Sequence, residues 1–203
     1  MILKPFLREG VMPLPVTFIS TVSREGVRNI APWSCVMPVL RPLDLICCAS
    51  ALKRDTLVNI RDTHQFVLNL PGVDLADAVI PTAKNLPPEV DEFEVASLKE
   101  KPSEMVRPPG IAGCYCWMEC ELVEEYRQEA YVLFIGKVLR LEVADHVLKA
   151  DGSLDLQKAK PLMMMGLGKG MHFCTVADIG KFEPYAAMFT NGKDPVAANY
   201  EGS

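Results

Sequence analysis

The sequence contains no hydrophobic run long enough to cross a membrane. A transmembrane helix needs about 20 consecutive apolar residues, and the apolar stretch at residues 45–52 is much shorter. Residues 1–5 also lack the apolar segment of a secretory signal. These two absences argue against a membrane-spanning or secreted chain, and they predict a cytoplasmic protein.

The chain also lacks an excess of positive charge. Its 21 basic and 26 acidic residues give a formal net charge of −5. Surfaces that bind nucleic acid normally carry a basic stripe, so this balance argues against nucleic acid as a partner. No internal repeat is visible, and the glycines at 166, 168 and 170 do not match the dinucleotide-binding pattern G-x-G-x-x-G.

The cysteines do not indicate a disulfide framework or a metal site. There are seven of them, an odd number, which fits reduced thiols in the cytoplasm better than paired ones. Cys114, Cys116 and Cys120 share one face of a predicted strand, along which the outer two would lie roughly 20 Å apart. Zinc holds each sulfur ligand at about 2.3 Å. We therefore predict that these three thiols are core residues.

The composition predicts one globular domain. Hydrophobic residues make up 49% of the chain and charged residues 23%, which are ordinary values for a protein with a full core. A chain of 203 residues is most simply one domain, here residues 1–203. Within it, the proline-rich residues 84–110 form an excursion that we expect to cover a site or to be functional itself. The tail at 184–203 is expected to drape over a neighbouring surface.

Strand patterns outnumber helical ones. Runs rich in β-branched or alternating apolar residues predict strands at 16–22, 27–30, 43–49, 66–70, 115–124, 131–143 and 173–176. Pro32 and Pro38 predict that the second strand is broken or lies at an edge, and Gly136 predicts a bulge in the long strand. The third strand is predicted to be covered on both faces. Many strands without β-α-β alternation indicate a mainly antiparallel β-barrel with a few helices.

The helical patterns are short. Residues 57–61 predict a helix with Asp55 or Thr56 as its N-cap. Four further segments have weaker patterns: a helical segment at 74–83 interrupted by Pro81, a short strand at 92–95, a helical turn at 156–160, and a loop at 161–173.

A candidate phosphate site lies where the third predicted strand meets the first helix. Lys53 and Arg54 directly precede the helix start at Asp55 and Thr56. Unpaired N–H groups and the helix dipole favour a phosphate at such a position, whereas the alternative is a solvated surface pair. Trp33 lies in the apolar loop predicted at 29–34. This position favours contact of its indole with a flat ring over a role as a core anchor. One phosphate and one flat ring indicate a mononucleotide, and flavin mononucleotide (FMN) is the first hypothesis.

Five segments, in their order and spacing, resemble the flavin reductase-like family, which binds FMN in a split β-barrel and includes flavoredoxin. The resemblance spans about residues 13–179. It is carried by N-x-A-P-W-S at 29–34, R-D-T-x-x-N-I at 54–60, F-V-L-N-L-P at 66–71, F-I-G-x-V at 134–138 and the glycine-rich segment before Phe173. It implies an FMN-binding split β-barrel, and a homodimer with FMN near the subunit interface.

The resemblance also implies a set of cofactor contacts. The implied cofactor-binding residues are Asn29, Ala31, Trp33, Ser34, Cys48, Ala49, Ser50, Lys53, Arg54, Asp55, Thr56, Tyr131 and Phe173. Among them, Asn29, Trp33 and Ser34 would face the flavin. The phosphate or the ring edge would be served by Ser50, Lys53, Arg54 and Thr56. Two positions depart from the family pattern. Glu92 stands where members often have lysine, and Tyr131 stands where some have histidine.

Three functional hypotheses follow. The first is an FMN-dependent oxidoreductase of the flavin reductase type, which takes hydride from NADH or NADPH and passes electrons to flavin or another acceptor. The second is a flavoredoxin-like electron carrier that binds FMN, serves a redox partner protein and does not oxidise NAD(P)H. The third is an interaction module that kept the barrel and lost the cofactor. No acid–base pair is evident, and none is needed for hydride to reach a flavin, so no catalytic residue is assigned.

Overall fold

β-Strands account for most of the regular secondary structure in the described residues. The computed structural model describes residues 1–40, 43–167 and 170–180. Within these ranges the strands are β1 (Leu14–Pro15), β2 (Thr17–Val22), β3 (Arg28–Trp33), β4 (Val36–Pro38), β5 (Leu45–Ala51), β6 (Gln65–Leu70), β7 (Glu100–Lys101), β8 (Gly110–Ile111), β9 (Cys116–Arg127), β10 (Tyr131–Val143), β11 (Met163–Met165) and β12 (His172–Cys174).

Seven of these strands form one curled, half-barrel sheet. Its order is β3-β2-β6-β9-β10-β5-β4, and its neighbouring strands pair antiparallel. A three-stranded sheet, β1-β11-β12, and a two-stranded sheet, β7-β8, lie beside it. The fold is therefore the mainly β split barrel that the sequence predicts, and β3 is an edge strand, as Pro32 indicates.

Helices are few and short in the same ranges. They are α1 (Asp55–Thr63), α2 (Val79–Thr82), α3 (Glu92–Val95) and α4 (Leu156–Ala159), with 3-10 helices at Pro5–Val11, Val73–Ala78 and Asp145–Val147. None of the described helices is long and apolar enough to span a bilayer.

Helix α1 begins two residues earlier than predicted, and its N-cap is Arg54 rather than Asp55 or Thr56. The Thr56 hydroxyl does not cap the helix because it donates instead to the Asn29 side chain, at 2.9 Å. The helix ends at His64, whose left-handed backbone (φ 60°) closes the last turn.

The long antiparallel pair of β9 and β10 forms the middle of the sheet. Its register shifts between Ile135 and Gly136, which confirms the predicted bulge. The Phe66 ring lies where a Cβ at position 136 would stand. Glycine is therefore required here by the close approach of that ring as well as by the bulge.

Two hydrophobic cores cover the sheet, one on each face. Successive residues of a strand point to opposite faces, and accordingly Ile19 packs with Phe66 and α1 in one core while Phe18 packs with Phe93 in the other. The second core lies under the excursion at 84–110, which supplies Phe93 and Val106. Cys114, Cys116 and Cys120 are all buried, so their prediction as core thiols is confirmed.

Three local predictions need correction. Residues 92–95 form helix α3 rather than a strand, because the Asp91 side chain accepts the Phe93 N–H at 2.9 Å and caps a helical turn. The segment at 161–173 is not all loop, since β11 pairs with both β1 and β12. The strand predicted at 43–49 starts later, at Leu45, and alternates between buried and half-buried residues. The tail at 184–203 lies outside the described residues.

Candidate functional site

An open cleft lies where β3, the connection from β5 to α1, and the segment after α2 come together. Its volume is about 450 Å³, within the range of small-molecule sites. The lining residues are Asn29, Ala31, Pro32, Trp33, Ser34, Cys35, Ala49, Ser50, Ala51, Lys53, Arg54, Asp55, Thr56, Thr82, Ala83, Lys84, Asn85, Leu86 and Glu92. The curl of the sheet brings β3 close to β5, although four strands separate them in the sheet order.

Most of the residues implied as cofactor contacts line this cleft, but three do not. Cys48 is fully buried in the core that contains Phe134. Tyr131, at the start of β10, pairs in register with Ala51 but is 46% exposed and does not line the cleft. Phe173 belongs to the separate three-stranded sheet and is also 46% exposed.

The start of α1 gives one end of the cleft a positive character. Arg54 is the N-cap residue, and no side chain caps the first-turn N–H groups of this nine-residue helix. Lys53 and Arg54 lie at this helix start, and Lys84 reaches the same cleft from the excursion. The uncapped donors, the helix dipole and the cations all favour an anion at this end.

A hydrogen bond connects the excursion to the helix start. The Arg54 guanidinium donates through Nη1 to Oδ1 of Asn85 at 3.1 Å. Asn85 and its neighbours Lys84 and Leu86 therefore form a wall of the cleft. The sequence predicted that the excursion covers something, and its first residues lie at this cleft.

A buried polar network forms the floor. The Asn29 side chain donates through Nδ2 to Oε2 of Glu92 at 2.5 Å. Its Oδ1 accepts from the hydroxyls of Thr56 at 2.9 Å and Thr21 at 3.2 Å. The Asn59 amide in turn donates to the Thr21 hydroxyl at 3.1 Å. This network links strand β3 to two of the helices that border the cleft, α1 and α3.

Glu92 is the titratable group of this network. Its side chain is buried, and Oε2 also accepts the Ile30 backbone N–H at 2.6 Å. Burial raises the pKa of Glu92 to about 7, helped by the negative charges of Asp55 and Asp91 and opposed by the Ile30 hydrogen bond. Near neutral pH both the neutral and the ionised carboxyl are populated.

The neighbouring carboxylate, Asp91, is paired with a cation. Arg28 contacts Asp91 at 2.6 Å and Glu100 at 2.9 Å, and its guanidinium stacks over the Phe93 ring at 5.1 Å. Hydrogen bonding to Asp91 is the main cause that raises the pKa of Arg28. These contacts fix α3 against β3, and they direct the charge of Arg28 toward Asp91 and Glu100.

Trp33 forms part of the cleft wall from the end of β3, so it lies in a strand and not in the loop that its neighbours suggested. Its ring packs edge-on against Phe134, with centroids 5.8 Å apart and an interplanar angle of 83°. The indole Nε1 is buried and has no hydrogen-bond partner among the described residues. The indole therefore serves both the core and the cleft.

Several lining residues were not predicted as contacts. They are Pro32, Cys35, Ala51, the segment at 82–86, and Glu92. The signal for the last two was their position in or beside a long irregular excursion and, for Glu92, its place where family members often have lysine. Their convergence on the cleft depends on the path of that excursion over the sheet, which no local pattern encodes.

Comparison with known proteins identifies the family. Residues 8–167 match the family model described as "Flavin reductase like domain", which is more than half of the 203 residues. The chain belongs to the flavin reductase-like family. This flavin reductase-like chain is also 61% identical, over 206 aligned residues, to an uncharacterized protein of Methanothermobacter thermautotrophicus, covering 99% of this chain and 97% of the relative.

Solved structures of two other proteins share the fold. Nitrilotriacetate monooxygenase component B from Bacillus cereus is 28% identical, with a TM-score of 0.79 and coverage of 90% of this chain and 98% of that one. Flavoredoxin from Desulfovibrio vulgaris is 20% identical, with a TM-score of 0.76 and coverage of 95% and 100%. The flavin reductase-like fold thus extends over nearly the whole length of each of these proteins.

Proposed function

We propose that the cleft binds FMN and that the protein is an oxidoreductase of the flavin reductase type. In this proposal it takes hydride from NADH or NADPH and passes electrons to free flavin or another acceptor. The observation that carries the proposal is the uncapped start of α1, with Lys53 and Arg54, opening onto the same cleft as Trp33. Membership of a flavin-related oxidoreductase family supports it.

The residues present fit such a cofactor. The phosphate would be held by Lys53, Arg54 and the first-turn N–H groups of α1. The flat ring would lie beside Trp33 and Ser34, whose indole and hydroxyl offer an apolar surface and a hydrogen-bonding group. A bound flavin would supply the hydride- and electron-transfer chemistry. The chain itself would orient the ring and, through residues 84–86, restrict access of water.

The visible spectrum of the purified protein is the first test. We expect a yellow protein with flavin absorption bands, and release of FMN when it is denatured. If the protein is isolated without cofactor, a titration should show saturable FMN binding at one site per chain. A colourless protein that binds neither FMN nor riboflavin would contradict the proposal.

The second candidate is a flavoredoxin-like electron carrier. It is favoured by the fit of flavoredoxin, which superimposes over 95% of this chain and 100% of its own length. Steady oxidation of NADH or NADPH with added flavin would select the reductase. Reduction of bound FMN by a chemical reductant, but by neither nicotinamide, would select the carrier.

A homodimer and a cytoplasmic location are part of the same proposal. Large apolar side chains on β9 and β10 are exposed, among them Val123 at 57%, Tyr126 at 62% and Leu141 at 60%, and a second copy would cover some of them. Light scattering should give the mass of two chains at micromolar concentration. Cell fractionation should place the protein in the soluble fraction.

A further inference from the structure

Glu92 faces the cleft with one carboxyl oxygen occupied and the other unengaged. The side chain lines the cleft but is only 7% exposed. Oε2 accepts both N–H groups, from the Asn29 side chain at 2.5 Å and from Ile30 at 2.6 Å. Among the described residues, no donor is bonded to Oε1. In the neutral form, the proton therefore lies on Oε1, and the O–H group can donate a hydrogen bond from there.

The orientation of Asn29 keeps this arrangement fixed. Its Oδ1 accepts from the hydroxyls of Thr56 and Thr21, and its Nδ2 faces Glu92 and donates to it. An amide N–H can donate to a carboxyl oxygen whether the carboxyl is neutral or ionised. Protonation of Glu92 thus changes the group presented at Oε1 without breaking the network at Oε2.

The charges around Glu92 do not include a cation paired with it. On its own segment are Asp91 and Glu94, and from β3 comes Arg28, which contacts Asp91 and lies 4.0 Å from Glu94. Helix α1 contributes Asp55 at its first turn. Helix α2 (Val79–Thr82) has no titratable side chain. In the described part of the chain, Glu92 forms no ion pair, so its ionised form is not neutralised locally.

The other charged groups of the cleft are Lys53, Arg54 and Lys84. Lys53 and Arg54 lie at the start of α1, and the Arg54 guanidinium is bonded to Asn85. The cleft thus carries cations suited to a phosphate and, at its floor, a carboxyl suited to a different part of the ligand. A flavin ring presents carbonyl oxygens and ring nitrogens, which accept hydrogen bonds.

We propose that Glu92 sets the pH dependence of flavin binding. Its neutral carboxyl holds a proton on Oε1, and this O–H group donates a hydrogen bond to an acceptor atom of the ring. When the flavin binds to the ionised form, one proton is taken from solvent, an O–H bond forms at Oε1, and no bond of the ligand is made or broken. The proposal rests on the proposed flavin site and adds to it a residue that hydrogen-bonds the ring.

The test is to titrate the protein with FMN and with riboflavin between pH 5.5 and 8.5. Binding is measured by the quenching of flavin fluorescence. The variants are wild type, Glu92→Gln, which keeps an acceptor for Asn29 and a permanent donor in place of the O–H, and Glu94→Gln as control. Glu94 lies on the same helix with its side chain 80% exposed. Riboflavin separates Glu92 from the titration of the FMN phosphate.

We expect the wild-type dissociation constant to rise above about pH 7, the pKa of Glu92, approaching tenfold per pH unit. Glu92→Gln should bind with a constant that hardly changes over this range, and Glu94→Gln should follow wild type. Calorimetry of the wild type in two buffers of different ionisation enthalpy should show net proton uptake at pH 8, a measurement that needs no variant.

Two outcomes separate this proposal from the one on which it depends. Tight flavin binding with the same pH profile in wild type and Glu92→Gln, and no proton uptake, would overturn the role of Glu92 and leave the flavin site intact. Absence of flavin binding in all variants at every pH would overturn the flavin site, and the role of Glu92 with it.

Discussion

The carboxyl of Glu92 accepts the side-chain N–H of Asn29 at 2.5 Å and thereby joins helix α3 to the edge strand β3. Because Asn29 also accepts the Thr56 hydroxyl, the same amide reaches the first turn of α1. The Asn29 side chain thus holds together the floor, the anion-binding end and the excursion side of the cleft. Its removal should therefore affect both stability and binding.

Replacing Asn29 with alanine should destabilise the fold. The substitution leaves Glu92 and Thr56 without their shared partner, and a stranded buried polar group costs about 1–3 kcal/mol. We expect a loss of at least about 2 kcal/mol in the free energy of unfolding, measured with urea. Asn85→Ala is the control, because the hydrogen bond between the Asn85 side chain and Arg54 is exposed. Its effect on the free energy of unfolding should stay within about 0.5 kcal/mol. Equal effects of the two substitutions would contradict this prediction.

The stability of the protein should decrease as the pH rises toward neutrality, because of Glu92. Its pKa is about 7 in the folded state against 4.5 as the ordinary value, so between these pH values the folded state binds a proton that the unfolded state has released. The unfolding free energy then falls with pH across this window, by roughly 3 kcal/mol in all, and levels off above it.

Glu92→Gln should remove this contribution, because glutamine does not titrate. We expect the difference in unfolding free energy between Glu92→Gln and wild type to grow in favour of the variant from pH 5 to pH 7.5. Urea unfolding at several pH values measures it. A difference that stays constant with pH would show that Glu92 ionises equally easily in both states.

Replacing Lys53 and Arg54 with alanine should weaken FMN binding far more than folding. Both side chains are exposed at the helix start, so the unfolding free energy should change by less than about 1 kcal/mol. The FMN dissociation constant should rise by roughly tenfold or more, because charge-assisted phosphate contacts contribute about 1.5–3 kcal/mol each. Riboflavin affinity should change little.

The matched control for that double variant is Arg127→Ala with Lys149→Ala, two exposed cations that do not line the cleft. It removes the same net charge and should leave FMN affinity nearly unchanged. If both double variants lowered the affinity equally, long-range charge rather than the start of α1 would be responsible.

Replacing Gly136 with alanine should destabilise the sheet. The added methyl would overlap the Phe66 ring, and overpacking of a tight core typically costs about 1–3 kcal/mol. Thermal or urea unfolding should show a loss in this range. Gly170→Ala serves for comparison, since a Cβ there meets no atom within 4 Å, and it should change stability by less than about 0.5 kcal/mol.

The parts of the fold that depend on local pattern could be predicted from the sequence. The long strands at 116–127 and 131–143 follow from alternation and turn residues, and Gly136 marks its bulge without any tertiary information. Helix α3 could not be predicted in this way. Its residues resemble a strand, but the Asp91 cap and the burial of Phe93 decide in favour of a helix.

In the candidate site, too, the residues of local motifs could be predicted and those placed by the tertiary fold could not. Two contiguous motifs, at 29–34 and 50–56, carry their own chemistry, so their residues were predicted, and the structure gathers most of them in one cleft. Glu92 and Lys84 reach it only because the excursion folds back over the sheet. Cys48 directly precedes Ala49 and Ser50, which line the cleft, yet its own side chain is buried in the core.

The two outermost strands of the large sheet, β3 and β4, each contain a proline, Pro32 and Pro38. A proline has no N–H to offer an incoming strand, so these borders are poor templates for strand addition. Aggregation by pairing of edge strands from different molecules is therefore disfavoured at both edges of the sheet. Association of two copies should accordingly proceed through side chains on the faces of the sheet.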